Sequence, residues 1–188
     1  LVVAGFLSVR HFYFQPREVK AQAAMYKGEI YFAKDSFELA LKGNGADFVG
    51  FEAIADDYSS TKAGNLAAAY AGICYYNLGK DAEALAYLKK FDGDDAFLSP
   101  NIEAMIGNCY ANMDQYDDAI KAFEKAAKKA DNEMASPIFL QKAATVAEKM
   151  GNYKKALDFY QKIKDEYSQS MIGRDIDKYI ERAKAHVK

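Results

Sequence analysis

One pattern of small and aromatic residues occurs three times along this chain of 188 residues. Ala71-Gly72, Tyr75, Gly79, Ala84 and Leu88 are followed by Ile106-Gly107, Tyr110, Ala119 and Phe123, then by Ala143-Ala144, Gly151, Tyr153, Ala156 and Tyr160. The small residues at 72, 107 and 144 are separated by 35 and then 37 positions. Self-similarity at this period marks helical hairpins that cannot bury their apolar faces alone and must stack. The expected class is therefore all-α, a solenoid of stacked helical hairpins closed by a C-terminal capping helix. In each repeat, Gly72, Gly107 or Ala144 is placed where the first helix crosses the second, opposite Ala84, Ala119 or Ala156. Leu88, Phe123 and Tyr160 then fill the flanks, because large side chains at the crossing would overpack it.

Composition agrees with helices and narrows the partners. There are only three Pro, and the 25 basic residues nearly balance the 27 acidic ones, leaving a formal charge of −2. Nucleic-acid binding needs a concentrated basic surface, so this balance disfavours it. Cys74 and Cys109 each precede the Tyr of their repeat and share its phase. Packed helix axes lie about 8 to 10 Å apart, whereas a disulfide needs Cα atoms within about 7 Å, so two buried thiols are expected rather than a bridge. A redox or metal role would require neighbouring His or further Cys.

Four segments follow from the pattern: 1–15, 16–61, 62–168 and 169–188. The run Leu1–Val9 is apolar and is followed by Arg10-His11 and the aromatics Phe12, Tyr13 and Phe14. It is shorter than the roughly 20 residues a bilayer span needs, and reads as the end of a membrane helix with interfacial aromatics. The alternatives are a helix start packed on the solenoid or on another copy of the chain, and a signal-peptide remnant. Residues 16–61 read as a degenerate first repeat: a helix from near Arg17, a second cut short at Gly43-Asn44-Gly45, and an inserted short helix around Phe48, Phe51, Ile54 and Tyr58. Three fuller hairpins follow at about 63–92, 100–129 and 137–166. Ser99-Pro100 and Ser136-Pro137 are expected to open two of them, Ser as N-cap and Pro at the first helical position. Turns are expected at Leu78-Gly79-Lys80, Met113-Asp114-Gln115 and Met150-Gly151-Asn152. One amphipathic helix carrying Ile172, Ile176, Tyr179, Ile180 and Ala183 is expected to cap the stack.

The recurring small residue, Tyr, turn, Ala and aromatic resemble the tetratricopeptide repeat, strongly over Lys62–Ser168 and weakly over Glu18–Lys42, a resemblance that implies a right-handed superhelical solenoid. The usual Trp of the first helix is replaced by Ala68, Glu103 and Leu140, and Ala147 replaces Tyr in the third repeat. The layout of apolar leader, degenerate repeat ending Ala40-Leu41-Lys42-Gly43, and Thr61-Lys62-Ala63-Gly64-Asn65-Leu66-Ala67 is similar to the bacterial YfgM-like proteins. That resemblance implies a single membrane anchor in the bacterial inner membrane, a repeat domain facing the periplasm, and association with the SecYEG translocon or envelope chaperones. It implies a protein-binding scaffold, with a structural or self-assembling homo-oligomer as the alternative.

Tetratricopeptide domains bind extended segments along their first helices. Helical spacing puts Met25 and Phe32, then Ile73, Tyr76 and Asn77, then Asn108 and Asn112, then Gln141 on that face, with Thr145 and Glu148 beside them. The mixture is apolar and amide-rich, suited to a peptide backbone, with Phe32 and Tyr76 as anchors. An ordinary solvated face has the same composition. Lys and Arg are sparse on it, which disfavours a clamp for a chain-terminal carboxylate. Asp92, Asp94 and Glu103 have some calcium-loop spacing, but Ala96, Phe97 and Pro100 stand where ligands and Gly are needed, so no metal is expected. No cofactor or catalytic residue is assigned. His11 and His186 are the only histidines, and neither a phosphate-cradling loop nor a nucleophile motif occurs.

Overall fold

The computed structural model describes residues 10–187, and those residues are helical with no strand. A single π turn, Arg10–Phe14, runs into α1 (Gln15–Ala33). α2 (Phe37–Lys42), α3 (Phe51–Asp57), α4 (Lys62–Asn77) and α5 (Asp81–Leu88) follow. Then come α6 (Leu98–Asn112), α7 (Tyr116–Ala130), α8 (Ser136–Lys149), α9 (Tyr153–Glu166), α10 (Met171–Arg174) and α11 (Asp177–Lys184). The chain forms two compact units that meet at Asp92–Gly93. In the first, α4 packs on α3 and α5 and is flanked by α1 and α2. In the second, α6, α7, α8, α9 and α11 each pack on the next.

All four turns between paired helices have one chemistry. A residue with left-handed backbone ends the first helix: Asp35 (φ 55°), Gly79 (φ 72°), Asp114 (φ 59°) and Gly151 (φ 73°). The next amide reaches back five residues, in the bonds Ser36 N to Tyr31 O, Lys80 N to Tyr75 O, Gln115 N to Tyr110 O and Asn152 N to Ala147 O, all 2.9 to 3.0 Å. This is the Schellman stop, which satisfies carbonyls that a helix end would otherwise leave open. Glycine is unstrained there, whereas Asp is not. Asp35→Gly, at an exposed position, is therefore expected to stabilise the protein by about 0.5 kcal/mol, read as a higher urea midpoint at unchanged slope. A lower midpoint would contradict the turn assignment.

Five residues after each turn, Ala40, Ala84, Ala119 and Ala156 are fully buried. What lies directly against the glycine, however, is the large residue four further on. A Cβ on Gly72 would stand 2.6 Å from Leu88 Cγ, and one on Gly107 2.8 Å from the Phe123 ring. The truncated α2 has Asn44 at that place, and the insertion supplies the missing bulk: a Cβ on Gly28 would meet the rings of Phe48 and Phe51 at 2.6 and 2.7 Å. Phe51 in turn stacks on Tyr70, with centroids 4.6 Å apart. The inserted segment thus completes the core of the first hairpin. A polar network ties it to the second: Tyr87 Oη donates to Asp56 at 3.0 Å, Lys90 pairs with Asp56 at 2.7 Å, and Lys42 bonds Glu52 and Tyr75. The Lys90 ammonium is the main cause holding the Asp56 carboxyl below its usual range.

Several expectations need correction. Ser99 and Ser136 are not N-caps. Asp95 Oδ1 accepts from Phe97 N and Leu98 N, and Asn132 Oδ1 accepts from Met134 N and Ala135 N, so the caps lie four residues earlier. Both serines are buried in the first helical turn, where their hydroxyls donate backwards, Ser99 to Gly93 O at 2.6 Å and Ser136 to Ala127 O at 2.9 Å. The final helix is broken at Asp175-Ile176, where amides bond three residues back rather than four, to Ile172 O and Gly173 O. Cys74 and Cys109 are buried and not in a disulfide, and burial pushes the Cys74 thiol up to about 12.

The localisation at a bacterial inner membrane is overturned on the described residues. None of their helices is long and apolar enough to cross a membrane. The longest, α1, carries Arg17, Glu18, Lys20, Lys27 and Glu29, charges that a bilayer core would have to desolvate. The expected apolar leader, Leu1–Val9, lies outside the described residues.

Candidate functional site

Two clefts run between successive first helices, one in each unit. In the second unit, α6 and α8 leave a groove of about 210 Å³ lined by Asn108 and Ala111 from α6, Gln141, Lys142, Thr145 and Val146 from α8, and Phe123 from α7. Phe123 forms its apolar part because the Gly107 crossing draws that ring between the helices. Lys142 Nζ donates to Asn108 Oδ1 at 3.1 Å and lies 5.6 Å from the centre of the Phe123 ring. Burial lowers its pKa below the ordinary lysine value. Its hydrogen bond goes to a neutral amide rather than to a carboxylate, so that contact brings no opposite charge against the desolvation of the ammonium.

In the first unit, α1 and α4 bound a cleft of about 250 Å³ lined by Glu18, Gln22, Met25, Glu29, Lys62, Ala63 and Leu66. It shares Glu18, Gln22 and Lys62 with a wider hollow that reaches His11, Phe14 and Thr61. Glu18 has a structural task here. Its carboxylate accepts from Lys62 N at 2.7 Å and Ala63 N at 3.2 Å, so a residue 44 positions away caps α4 together with Thr61, whose hydroxyl accepts from Gly64 N. A carboxylate at a helix N-terminus also offsets the partial positive charge of the unpaired amides.

The residues assigned to the binding face from sequence divide between the units. Asn108 and Gln141 meet in the α6–α8 groove, with Thr145 beside them. Asn112 is exposed near the end of α6. Met25 lines the α1–α4 cleft but is only 4% exposed. Phe32 is engaged edge-on by Phe37 and Tyr70, at 5.6 and 4.9 Å, so its ring belongs largely to the packing of the first unit. Ile73 and Tyr76 are partly exposed on α4, and Asn77 donates back to Ile73 O at 2.8 Å, occupying one of its amide hydrogens within its own helix. Glu148 is taken by the end of the stack, pairing with Arg182 of α11 at 2.7 Å.

Sequence reasoning passed over Lys142. Its backbone position lies off the groove face, and only the long side chain brings the ammonium back to Asn108. The clue available was an uncompensated Lys beside Gln141 in an otherwise apolar turn. The role of Glu103, which stands at the usual Trp position and has calcium-loop spacing from Asp92 and Asp94, is set instead by α7. This residue is 8% exposed and held by Lys125 at 2.5 Å and Lys129 at 3.1 Å, two lysines one turn apart on α7. A carboxylate clamped in this way fastens α6 to α7, which accounts for it without calcium. Among the described residues no group of three His, Cys, Asp or Glu is placed to hold a metal ion. His11 Nδ1 hydrogen-bonds Gln15, and the His186 ring stacks on Tyr153 at 4.3 Å.

Models of the tetratricopeptide repeat match the chain at residues 70–92, 104–133 and 140–170. These spans cover the end of α4 with α5, most of α6 with α7, and α8 with α9. No curated protein matches the chain.

Proposed function

We propose, for a chain that carries tetratricopeptide repeats and whose repeats are of a kind that generally mediates protein–protein contact, that the α6–α8 groove takes an extended segment of a protein partner bearing an acidic group. Lys142 carries this reading. The ammonium is partly buried and hydrogen-bonds a neutral amide rather than a carboxylate, so folding desolvates it with no opposite charge in that contact, and a carboxylate of the bound segment supplies the charge it lacks. Asn108 and Gln141 add donors and acceptors suited to a peptide backbone, and Phe123 gives the groove an apolar floor. Similarity to the YfgM-like proteins makes the SecYEG translocon and envelope chaperones the first partners to present to it.

Selection from a displayed random-peptide library is the test. Enriched sequences are expected to share an acidic residue, and Lys142→Met to weaken the best of them by about tenfold or more, roughly 1.4 kcal/mol. The same substitution is expected to raise the melting temperature, because it removes a charge that folding desolvates. Opposite signs for binding and stability identify a residue kept for a ligand. Since the folded-state pKa of Lys142 is lowered, affinity is also expected to fall as the pH rises through a value below the ordinary 10.5. Peptides without acidic residues, or a Lys142→Met variant that binds normally, would overturn the reading.

A further inference from the structure

α1 has two different faces. One buries Ala21, Met25 and Gly28 within the first unit. The other is apolar and open: Val19 is 61% exposed and Tyr26 66%, with Ile30 exposed a turn later and Phe12, in the preceding π turn, 78% exposed. Pro16 and Ala23 stand exposed between them. The steps from 12 to 16, 19, 23, 26 and 30 alternate four and three, which is the a/d repeat of a two-stranded coiled coil. A surface helix ordinarily turns its polar side outward, and this one turns a heptad seam outward instead.

We propose that this seam pairs, parallel and in register, with α1 of a second copy of the chain. The flanking charges select that occupant and that orientation. With Pro16, Ala23 and Ile30 at a, and Phe12, Val19 and Tyr26 at d, the e positions hold Lys20 and Lys27 and the g positions hold Gln15, Gln22 and Glu29. In a parallel pair each g residue faces the e residue five positions on in the other copy. Gln15 then meets Lys20 of the second copy, Gln22 meets Lys27, and Glu29 meets Lys34, so every contact joins an ammonium to an acceptor. In an antiparallel pair e faces e, which sets Lys20 and Lys27 against their own kind. Lys27 is already bonded to Asp47 of its own chain, which holds it at the rim of the seam. Because the opposite face fixes α1 in place, pairing does not have to fold the helix, the step that makes short isolated coils marginal. The seam spans about three heptads, with small residues at two a positions, so the association is concentration-dependent rather than obligate.

Cysteine crosslinking of the full chain tests this. In register, a d position meets its own counterpart within disulfide reach, and the native thiols are buried. Val19→Cys and Tyr26→Cys are expected to form linked dimers about tenfold faster than Lys154→Cys, an exposed position in the second unit. At about 1 mM, where micromolar association saturates, wild type is expected to sediment as two chains and the double variant Val19→Glu/Tyr26→Glu as one, with the same thermal melt only when both are diluted far below the association range. Crosslinking no faster than the control, or a wild type that sediments as one chain, overturns the proposal. Crosslinking of Val19→Cys with Ala23→Cys in a mixture, but of neither with itself, overturns the parallel register, because an antiparallel pair sets d positions against a positions. A single-chain wild type that floats with phosphatidylglycerol and phosphatidylcholine vesicles, and loses this with Val19→Glu, overturns it in favour of a lipid surface.

Discussion

Gly107→Leu is expected to cost about 3 kcal/mol of stability, and less than that in a chain that already carries Phe123→Ala. The Cβ alone would stand 2.8 to 3.0 Å from three atoms of the Phe123 ring, closer than carbon atoms pack. Phe123 is almost fully buried, in the core cluster that also holds Ala119, Ile120 and Leu140, so its ring has little room to move aside. Overpacking a filled core of this kind costs about 1 to 3 kcal/mol, and more where the clash begins at Cβ. Phe123→Ala alone is itself expected to cost about 3 kcal/mol by leaving a cavity. In the double variant the leucine occupies that cavity, so the combined loss should fall short of the sum by at least about 1 kcal/mol. Urea denaturation of the four proteins gives the cycle. Strict additivity, or a Gly107→Leu cost under about 1 kcal/mol, would mean that the crossing is not where it is placed here.

An even smaller change, Gly64→Ala, should be comparably damaging, because what it strikes is backbone. A methyl group at residue 64 would collide with the Tyr58 carbonyl oxygen. That oxygen accepts from Thr61 N at 2.9 Å and Thr61 Oγ1 at 2.7 Å, while the Thr61 hydroxyl accepts from Gly64 N at 2.9 Å. Displacing it breaks a closed set of hydrogen bonds at the start of α4 as well as overpacking the site, for an expected loss of about 3 kcal/mol. Gly151→Ala supplies the contrast. Nothing lies within 4 Å of its added Cβ, so only the left-handed backbone opposes it, at about 1 kcal/mol. Equal losses at 64 and 151 would remove the case for the cap. The device occurs twice: Tyr167, Ser170 and Gly173 repeat the contacts of Tyr58, Thr61 and Gly64, with Ser170 Oγ donating to Tyr167 O at 2.7 Å and accepting from Gly173 N at 2.9 Å. α10 thus begins as α4 does, and ends at once where the helix breaks before α11.

Residues whose role is set within one hairpin were legible in the sequence. Gly72, Gly107, Ala84, Ala119 and Ala156 follow from the period and from the need for two backbones to approach, and the turns at Gly79, Asp114 and Gly151 follow from backbone conformation alone. Residues whose role is set by another element were not. Ser-Pro at 99 and 136 has the same local signature whether the hydroxyl caps its own helix or stitches it to the previous one, and the choice falls on Asp95 and Asn132, which look like ordinary loop residues. Glu103 reads as a lapse from an aromatic consensus until Lys125 and Lys129 arrive from α7. Glu18 caps a helix 44 residues away. The candidate site was half legible for the same reason: Asn108 and Gln141 lie on the expected face, whereas Lys142 enters it by the reach of its side chain and Phe32 leaves it by packing on Tyr70. The heptad seam of α1 was hidden because Ala21, Met25 and Gly28 satisfy a helical core pattern on the opposite side. The membrane assignment rested on Leu1–Val9, and nothing in the helix that follows extends that apolar run.

The claim that the chain holds a partner segment between its first helices is tested most directly by amide chemical-shift mapping of the full chain with a selected acidic peptide. Shifts concentrated on α6 and α8, around Asn108, Gln141, Lys142 and Thr145, are the predicted result. A second cleft of the same unit, lined by Glu124, Lys128, Asp131, Lys162 and Glu166, is the alternative surface. Shifts confined to it, with Asn108 and Gln141 unmoved, would contradict the assignment.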